Sequence, residues 1–249
     1  MEKVLSHKKK LIAELGNISD TKILDYGCGR GDFIELLLLE SNRPKKIFAV
    51  DSNKETIKKI QTDFSKYVAD GILVTEVCTS PAELQGNSFD KIICHNVLEC
   101  VSDKLEFINN CFTLLKPHGI LLLSHHDFDS AIYNSQYKEL TRDLIHYFAD
   151  TQQSWQENCD GQMGRKIPGL MAASFFNKQF NCKTWRIVER SFQADCYGFL
   201  MANMLIDIGK GVFDPQLLHA WINDLELKSQ ARDYYFAIDL VLAICERKI

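Results

Sequence analysis

Apolar positions along the chain follow two rhythms that alternate through its first half. Continuous apolar runs of strand length occur at 21–27, 46–51, 72–77, 89–96 and 119–126. Between them lie segments with helical spacing, at 32–40, 53–67 and 103–115. In the second of these, Ile57, Ile60, Phe64 and Tyr67 recur at helical intervals in a lysine-rich background. A polar helix is expected over 3–16, ending at Gly16, and Lys116, Pro117, His118 and Gly119 close the helix before the fifth strand. Strands that are apolar throughout, alternating with helices, predict a parallel sheet covered on both faces. The second half predicts a helix over 129–149, a polar loop over 150–170 and a strand over 183–192. Two helices follow at 197–209 and 215–227, then a last strand at 234–248.

Composition narrows the class. The chain has 249 residues, 46% hydrophobic and 25% charged, enough for a sizeable core. The formal net charge is −4, and the only basic run is Lys8, Lys9 and Lys10, read as a solvated helix face. That balance argues against a partner that is nucleic acid. The apolar runs are too short to span a bilayer, and the first residues are too polar for a signal peptide. Nine cysteines without a C-x-x-C pair suggest reduced thiols and a cytoplasmic protein.

The strongest motif is the glycine-rich turn after the first strand, Asp25-Tyr26-Gly27-Cys28-Gly29-Arg30-Gly31. A strand before it and a helix after it make such a turn a ligand cradle. In a dinucleotide fingerprint the third glycine would fall at Asp32, where a carboxylate would repel pyrophosphate. Asp25 adds a second acid. S-adenosylmethionine carries an ammonium and a sulfonium and no phosphate, so it suits these carboxylates; Asp32 also fits a helix N-terminal acid. Asp51 ends the second strand, where a carboxylate can accept both ribose hydroxyls.

With these motifs in place, the chain resembles the class I S-adenosylmethionine-dependent methyltransferases. ILDYGCGRGDF (23–33) looks like their first motif and VDSN (50–53) like the acidic second-strand motif. NSFDKIICHNVLECVSD (87–103) and LLKPHGILLLS (114–124) look like the fourth-strand and fifth-strand segments. The resemblance implies an α/β, Rossmann-like sheet of seven mostly parallel strands, with helices on both faces and a helical insertion before the last strand. It divides the chain into an N-terminal helix (1–19) and a methyltransferase domain (20–249). The domain has a cofactor-binding core (20–126), substrate-side helices and loops (127–233) and the last strand. It implies S-adenosyl-L-methionine as cofactor, bound by Asp25, Gly27, Cys28, Gly29, Gly31, Asp51 and Ser52. Cys78 and Thr79 fall where the adenine amine is met, usually by an acid, so that contact falls to backbone or to Thr79. His95 and Asn96 fall where the methionine moiety is lined, and Cys100 takes a place often held by histidine. SHHDFDSAIYN (124–134) and GRKIPGLM (164–171) resemble a branch acting on small molecules, including quinone-type and natural-product substrates.

Ligands of open parallel sheets bind at the carboxyl ends of the strands. The fifth strand ends in His125, His126 and Asp127, which are the catalytic candidates. Asp129, Tyr133 (one helical turn beyond it) and Arg165 are candidate substrate residues. Methyl transfer needs an oriented nucleophile and, for a hydroxyl, an acidic C–H or a protonated amine, a general base. Histidine titrates in the right range. Adjacent residues of a strand face opposite ways, so His125, His126 and Asp127 do not predict a metal. Trp155, Phe175, Phe176, Trp185, Tyr197 and Phe199 are pocket or core aromatics. The expected activity is methyl transfer to a small-molecule N, O or C nucleophile, by a monomer or homodimer with no nucleic-acid or membrane partner. A protein substrate, or a silent cofactor-binding subunit, are the rivals.

Overall fold

The computed structural model describes residues 2–152, 156 and 158–248; Trp155 lies outside them. The order of elements is α1 (Glu2–Glu14), β1 (Lys22–Tyr26), α2 (Asp32–Leu39), β2 (Lys46–Asp51), α3 (Lys54–Asp63), α4 (Ser65–Ala69), β3 (Leu73–Val77) and β4 (Phe89–His95). There follow α5 (Lys104–Leu114), β5 (Leu115–Tyr133), α6 (Lys138–Asp150), α7 (Met163–Ala173), β6 (Phe180–Glu189), α8 (Tyr197–Gly209), α9 (Pro215–Gln230) and β7 (Phe236–Glu246). The strands form one seven-stranded sheet in the order β3-β2-β1-β4-β5-β7-β6. The pairs β1–β2, β1–β4, β2–β3 and β4–β5 are parallel. Strand β7 runs the other way. His118 N donates to Arg247 O, whereas Asn134 N donates to Tyr235 O, so rising numbers on β5 meet falling numbers on β7. This is the expected α/β, Rossmann-like class.

Contacts divide the chain into two compact units. The first comprises His7–His125, Ile167–Lys183 and Leu242–Ile249; the second comprises Met1–Ser6, His126–Lys166 and Thr184–Val241. In the first unit the strand residues Ile23, Leu24, Ile47, Val50, Ile92, Ile93, Leu121 and Leu122 are wholly buried, which is why these strands read as unbroken apolar runs. In the second, Trp221 is wholly buried and its indole N–H donates to Thr141 Oγ1 at 2.8 Å. No helix among the described residues is long and apolar enough to cross a membrane.

The second half departs from the sequence expectation. The helix expected over 129–149 begins only at Lys138, because β5 continues to Tyr133. The polar run 125–130 is drawn into the sheet by β7: Ser130 Oγ accepts from Asp239 N at 2.9 Å and donates to Asp127 O at 2.6 Å. Tertiary pairing here overrides local propensity. Asp129 and Tyr133 thus share a strand face rather than a helical turn. Part of the expected loop 150–170 is α7, which tolerates Pro168 inside it. Its Gly164 is a close-packing residue, since a Cβ there would lie 2.9 Å from the Asp127 backbone nitrogen. The expected helix over 53–67 is two helices, broken at Phe64 (φ −113°). The turn expected at 116–119 lies within the span of β5, with His118 at φ 63° and an irregular register against β4.

Candidate functional site

The loop between β1 and α2 is shaped by its glycines. Gly27, Gly29 and Gly31 have φ of 74°, 50° and 85°, the left-handed region that side chains resist. A Cβ on Gly27 would lie 2.3 Å from Val97 Cγ2, and one on Gly31 2.7 Å from Ile60 Cδ1. Gly27 N and Cys28 N both donate to Val50 O, at 2.8 and 3.0 Å, so the loop is pinned to the end of β2. Cys28 is buried, and burial pushes its thiol well up, with the Asp25 and Asp51 charges adding to the shift.

Two carboxylates flank this loop in different states. Asp51 is held: its Oδ2 accepts from Gly29 N at 3.0 Å and its Oδ1 from Asn53 N at 2.9 Å. Each carboxylate oxygen has a second lone pair, so the group can still accept two hydroxyls. Asp25 is 2% exposed, and its Oδ2 is buried without a hydrogen-bond partner. Burial raises its pKa to about 7; nearby Lys8 opposes the shift, and Asp32 and Asp51 add to it. An unpartnered buried carboxylate oxygen is costly, and a cationic ligand would relieve it. Asp32 differs from the sequence expectation, since Lys8 Nζ of α1 meets its Oδ2 at 2.6 Å. Its charge is therefore answered from within the protein, and Lys8 is not merely part of a solvated face. Nothing in the sequence signals a pair 24 residues apart.

At the neighbouring strand ends, Ser52 is exposed and Asn53 caps α3. Cys78 is buried, and its thiol donates to Ser80 O at 3.1 Å. Thr79 is exposed, and its hydroxyl and amide both meet Glu83 Oε1, as does Ser80 N at 3.0 Å. Glu83 was not singled out from sequence, although Ser80-Pro81-Ala82-Glu83 has the spacing of a capping box, and the structure forms one. His95 Nδ1 lies 2.9 Å from Ser124 Oγ, and its ring meets Phe33 edge-on. Asn96, at φ 55°, donates its amide to Ser124 O. His125 is wholly buried, with Nε2 4.0 Å from Oε2 of Glu99, a second residue the sequence did not flag. These residues all belong to the first unit.

The second unit gathers the remaining candidates. His126 is 4% exposed and stacks on Tyr197, with centroids 4.5 Å apart and planes 13° from parallel. Asp127, also buried, binds Arg165 in a fork, with Nε–Oδ2 at 2.7 Å and Nη2–Oδ1 at 2.6 Å, and accepts from Arg165 N at 3.0 Å. Arg165 Nη1 reaches Asp129 Oδ2 at 3.2 Å, and Gln162 and His146 also approach Asp129. Tyr133 donates to Gly198 O at 2.8 Å and packs edge-on against Trp221. The sequence thus brings His126, Asp127, Asp129, Tyr133 and Arg165 into one unit, with Asp127 and Arg165 paired to each other. Among the described residues no group of three or more histidine, cysteine or acidic side chains is arranged to hold a metal.

A family model described as a methyltransferase domain matches residues 17–194. A ubiquinone biosynthesis O-methyltransferase of Rickettsia canadensis (strain McKiel) is 32% identical over 117 residues, which are 47% of this chain and 47% of that protein. The matched stretch thus spans about half the length of that relative. Among solved structures, the YcgJ protein from Bacillus subtilis covers 98% of this chain and 99% of its own, at TM-score 0.61 and 14% identity. The N-methyltransferase NodS from Bradyrhizobium japonicum, crystallised with S-adenosyl-L-homocysteine, covers 98% and 85% at TM-score 0.53 and 13% identity. At such identities the structural likenesses speak for the fold alone.

Proposed function

We propose, from the premise that this chain belongs to the methyltransferase domain family, that it transfers a methyl group from S-adenosyl-L-methionine to a small-molecule nucleophile. The observation that carries the reading is the buried, unpartnered Oδ2 of Asp25 beside the Gly27–Gly31 turn. The sulfonium cofactor, when bound, supplies an electrophilic methyl group and leaves as a neutral thioether. Asp25 would take its ammonium, and Asp51 the ribose hydroxyls through the lone pairs not used by Gly29 and Asn53. Cys28, Gly29 and Ser52 would line it, with Cys78 and Thr79 toward the base and His95 and Asn96 toward the amino acid end.

For the polar residues of the second unit, taken by itself, we propose acceptor roles. The Asp127–Arg165 fork uses both carboxylate oxygens, so Asp127 serves to orient the guanidinium rather than to move a proton. Arg165 and Asp129 would hold the acceptor, and His126, held flat against Tyr197, is the group for general-base work; His125, which belongs to the first unit, is a separate candidate base. Tyr133 would shape that side through its bond to Gly198 O. The relative's name, an O-methyltransferase, favours oxygen as the nucleophile, and a general base assists when that oxygen is a hydroxyl. We further place the chain in the cytoplasm, where its nine cysteines stay reduced, and without a nucleic-acid partner, given its net charge of −4.

The test is calorimetry with S-adenosylhomocysteine, then turnover of the cofactor with a panel of catechols, phenols, amines and acids. Micromolar binding with product formation on one class is expected. No binding to a folded sample would overturn the reading. Binding without turnover across the panel, joined to co-purification with an active methyltransferase, would move the chain to a partner role.

A further inference from the structure

The first turn of α8 is capped from outside its own segment. Cys196, at the N-cap position, gives the helix no side-chain hydrogen bond. The acceptors come instead from β6: the two carboxylate oxygens of Glu189 take Tyr197 N at 2.8 Å and Gly198 N at 2.7 Å. Glu189 is buried, and an acid set at a helix N-terminus is favoured by the unpaired N–H groups there and by the helix dipole. From β5 the Tyr133 hydroxyl donates to Gly198 O at 2.8 Å. The chain entering β7 closes the remaining side, since a Cβ on Gly198 would lie 2.5 Å from Tyr234 Oη and 2.7 Å from Phe236 Cγ. All of these residues belong to the second unit.

What this clamp fixes is the ring of Tyr197. That ring lies over His126 at 4.5 Å between centroids and 13° from parallel, and Phe128 lies 24° from parallel to the same imidazole at 6.0 Å. The imidazole is thus oriented by its faces, and its nitrogens, which lie in the ring plane, are aimed by the tilt of Tyr197. Proton transfer needs the accepting nitrogen within hydrogen-bond reach and in line, and a small misplacement is costly. We propose that Glu189 is a positioning residue: by capping α8 it seats Tyr197 on His126 and sets the plane of the imidazole. The purpose of that seating rests on the reading above, in which His126 is the base. Glu189 acts through Tyr197 and takes no proton from the acceptor itself.

The experiment is NMR of the full chain with carbon-13-labelled histidine, in which His126→Gln identifies the His126 ring signal by its absence. Protons held against an aromatic face are shielded, so Tyr197→Leu should move that signal downfield and Tyr197→Phe should leave it. Glu189→Ala, and Glu189→Met, which keeps the volume and removes both acceptors, should move it the same way by about half as much or more. The signals of His95 and His118, in the first unit, should stay. Either folded Glu189 variant suffices to decide. An unmoved His126 signal in it, or an equal disturbance of all the histidines, would overturn the inference and leave the methyltransferase reading standing. On an acceptor that the unaltered chain turns over, the same variant should lower kcat about tenfold and change the KM for S-adenosylmethionine less than about threefold. An unchanged kcat would overturn the part given to Glu189 in the reaction. Full turnover by a folded His126→Gln would instead remove the base reading, whatever the ring signal does.

Discussion

With the ammonium role proposed above, stability and binding make opposite demands on Asp25, and pH separates them. Its folded pKa is raised to about 7, chiefly by burial, from an ordinary value near 3.8. A carboxyl with a raised folded pKa favours folding while protonated. Its favourable share is fully present below the ordinary value and is lost as pH rises through about 7. That loss runs at about 1.4 kcal/mol per pH unit across the window. Asp25→Asn should therefore make the ligand-free protein more stable at pH 8 and little changed at pH 4, while weakening cofactor binding at pH 8. Denaturant unfolding at the two pH values, with calorimetry, checks both signs; a variant less stable at pH 8 would show that the carboxylate is already paired. Asp51→Ala tests the other acid: loss of a hydrogen-bonded charge should weaken binding tenfold or more. Unchanged affinity in a folded variant would remove Asp51 from the ribose.

Strand β5 shows where the sequence stops being legible. Just before Ser124 it carries the buried run Leu121, Leu122 and Leu123, and a buried parallel strand announces itself by such a run. Beyond that point the same strand carries His125, His126 and Asp127, all buried, and the Asp127 carboxylate is answered by Arg165, distant in sequence. The glycine turn was readable because glycine spacing and a strand-end acid are local; the Asp127–Arg165 fork spans 38 residues and was not. That fork supports a prediction for the element. Arg165→Ala would leave Asp127 buried with one backbone donor, costing about 2–3 kcal/mol, below a fully buried pair because Arg165 is 47% exposed. Gly164→Ala should cost about 1–3 kcal/mol, since its methyl would press on the β5 backbone at Asp127. Unfolding midpoints measure both; an Arg165→Ala protein of full stability would show that the strand end does not depend on the guanidinium.

For the whole molecule the same electrostatics set how a ligand changes stability. A net charge of −4 makes uptake of a monocation favourable at long range and modestly dependent on salt. A ligand at a hundred times its dissociation constant stabilises by about 2.7 kcal/mol. For a chain of this size that raises the unfolding midpoint by roughly 5–10 °C. With its pKa raised to about 7, Asp25 is mostly ionised at pH 8 and mostly protonated at pH 6, so an ammonium bound there as proposed would have to expel the proton at the lower pH. Affinity should fall about tenfold between those values, so the same ligand concentration would give about 1.4 kcal/mol and a shift of roughly 3–5 °C. Scanning calorimetry with S-adenosylhomocysteine at pH 6 and pH 8 measures this directly, and Asp25→Asn should show a small shift at both. An equal shift at both pH values in the unaltered protein would mean that the ammonium is held elsewhere, and that the buried carboxylate of β1 serves the fold alone.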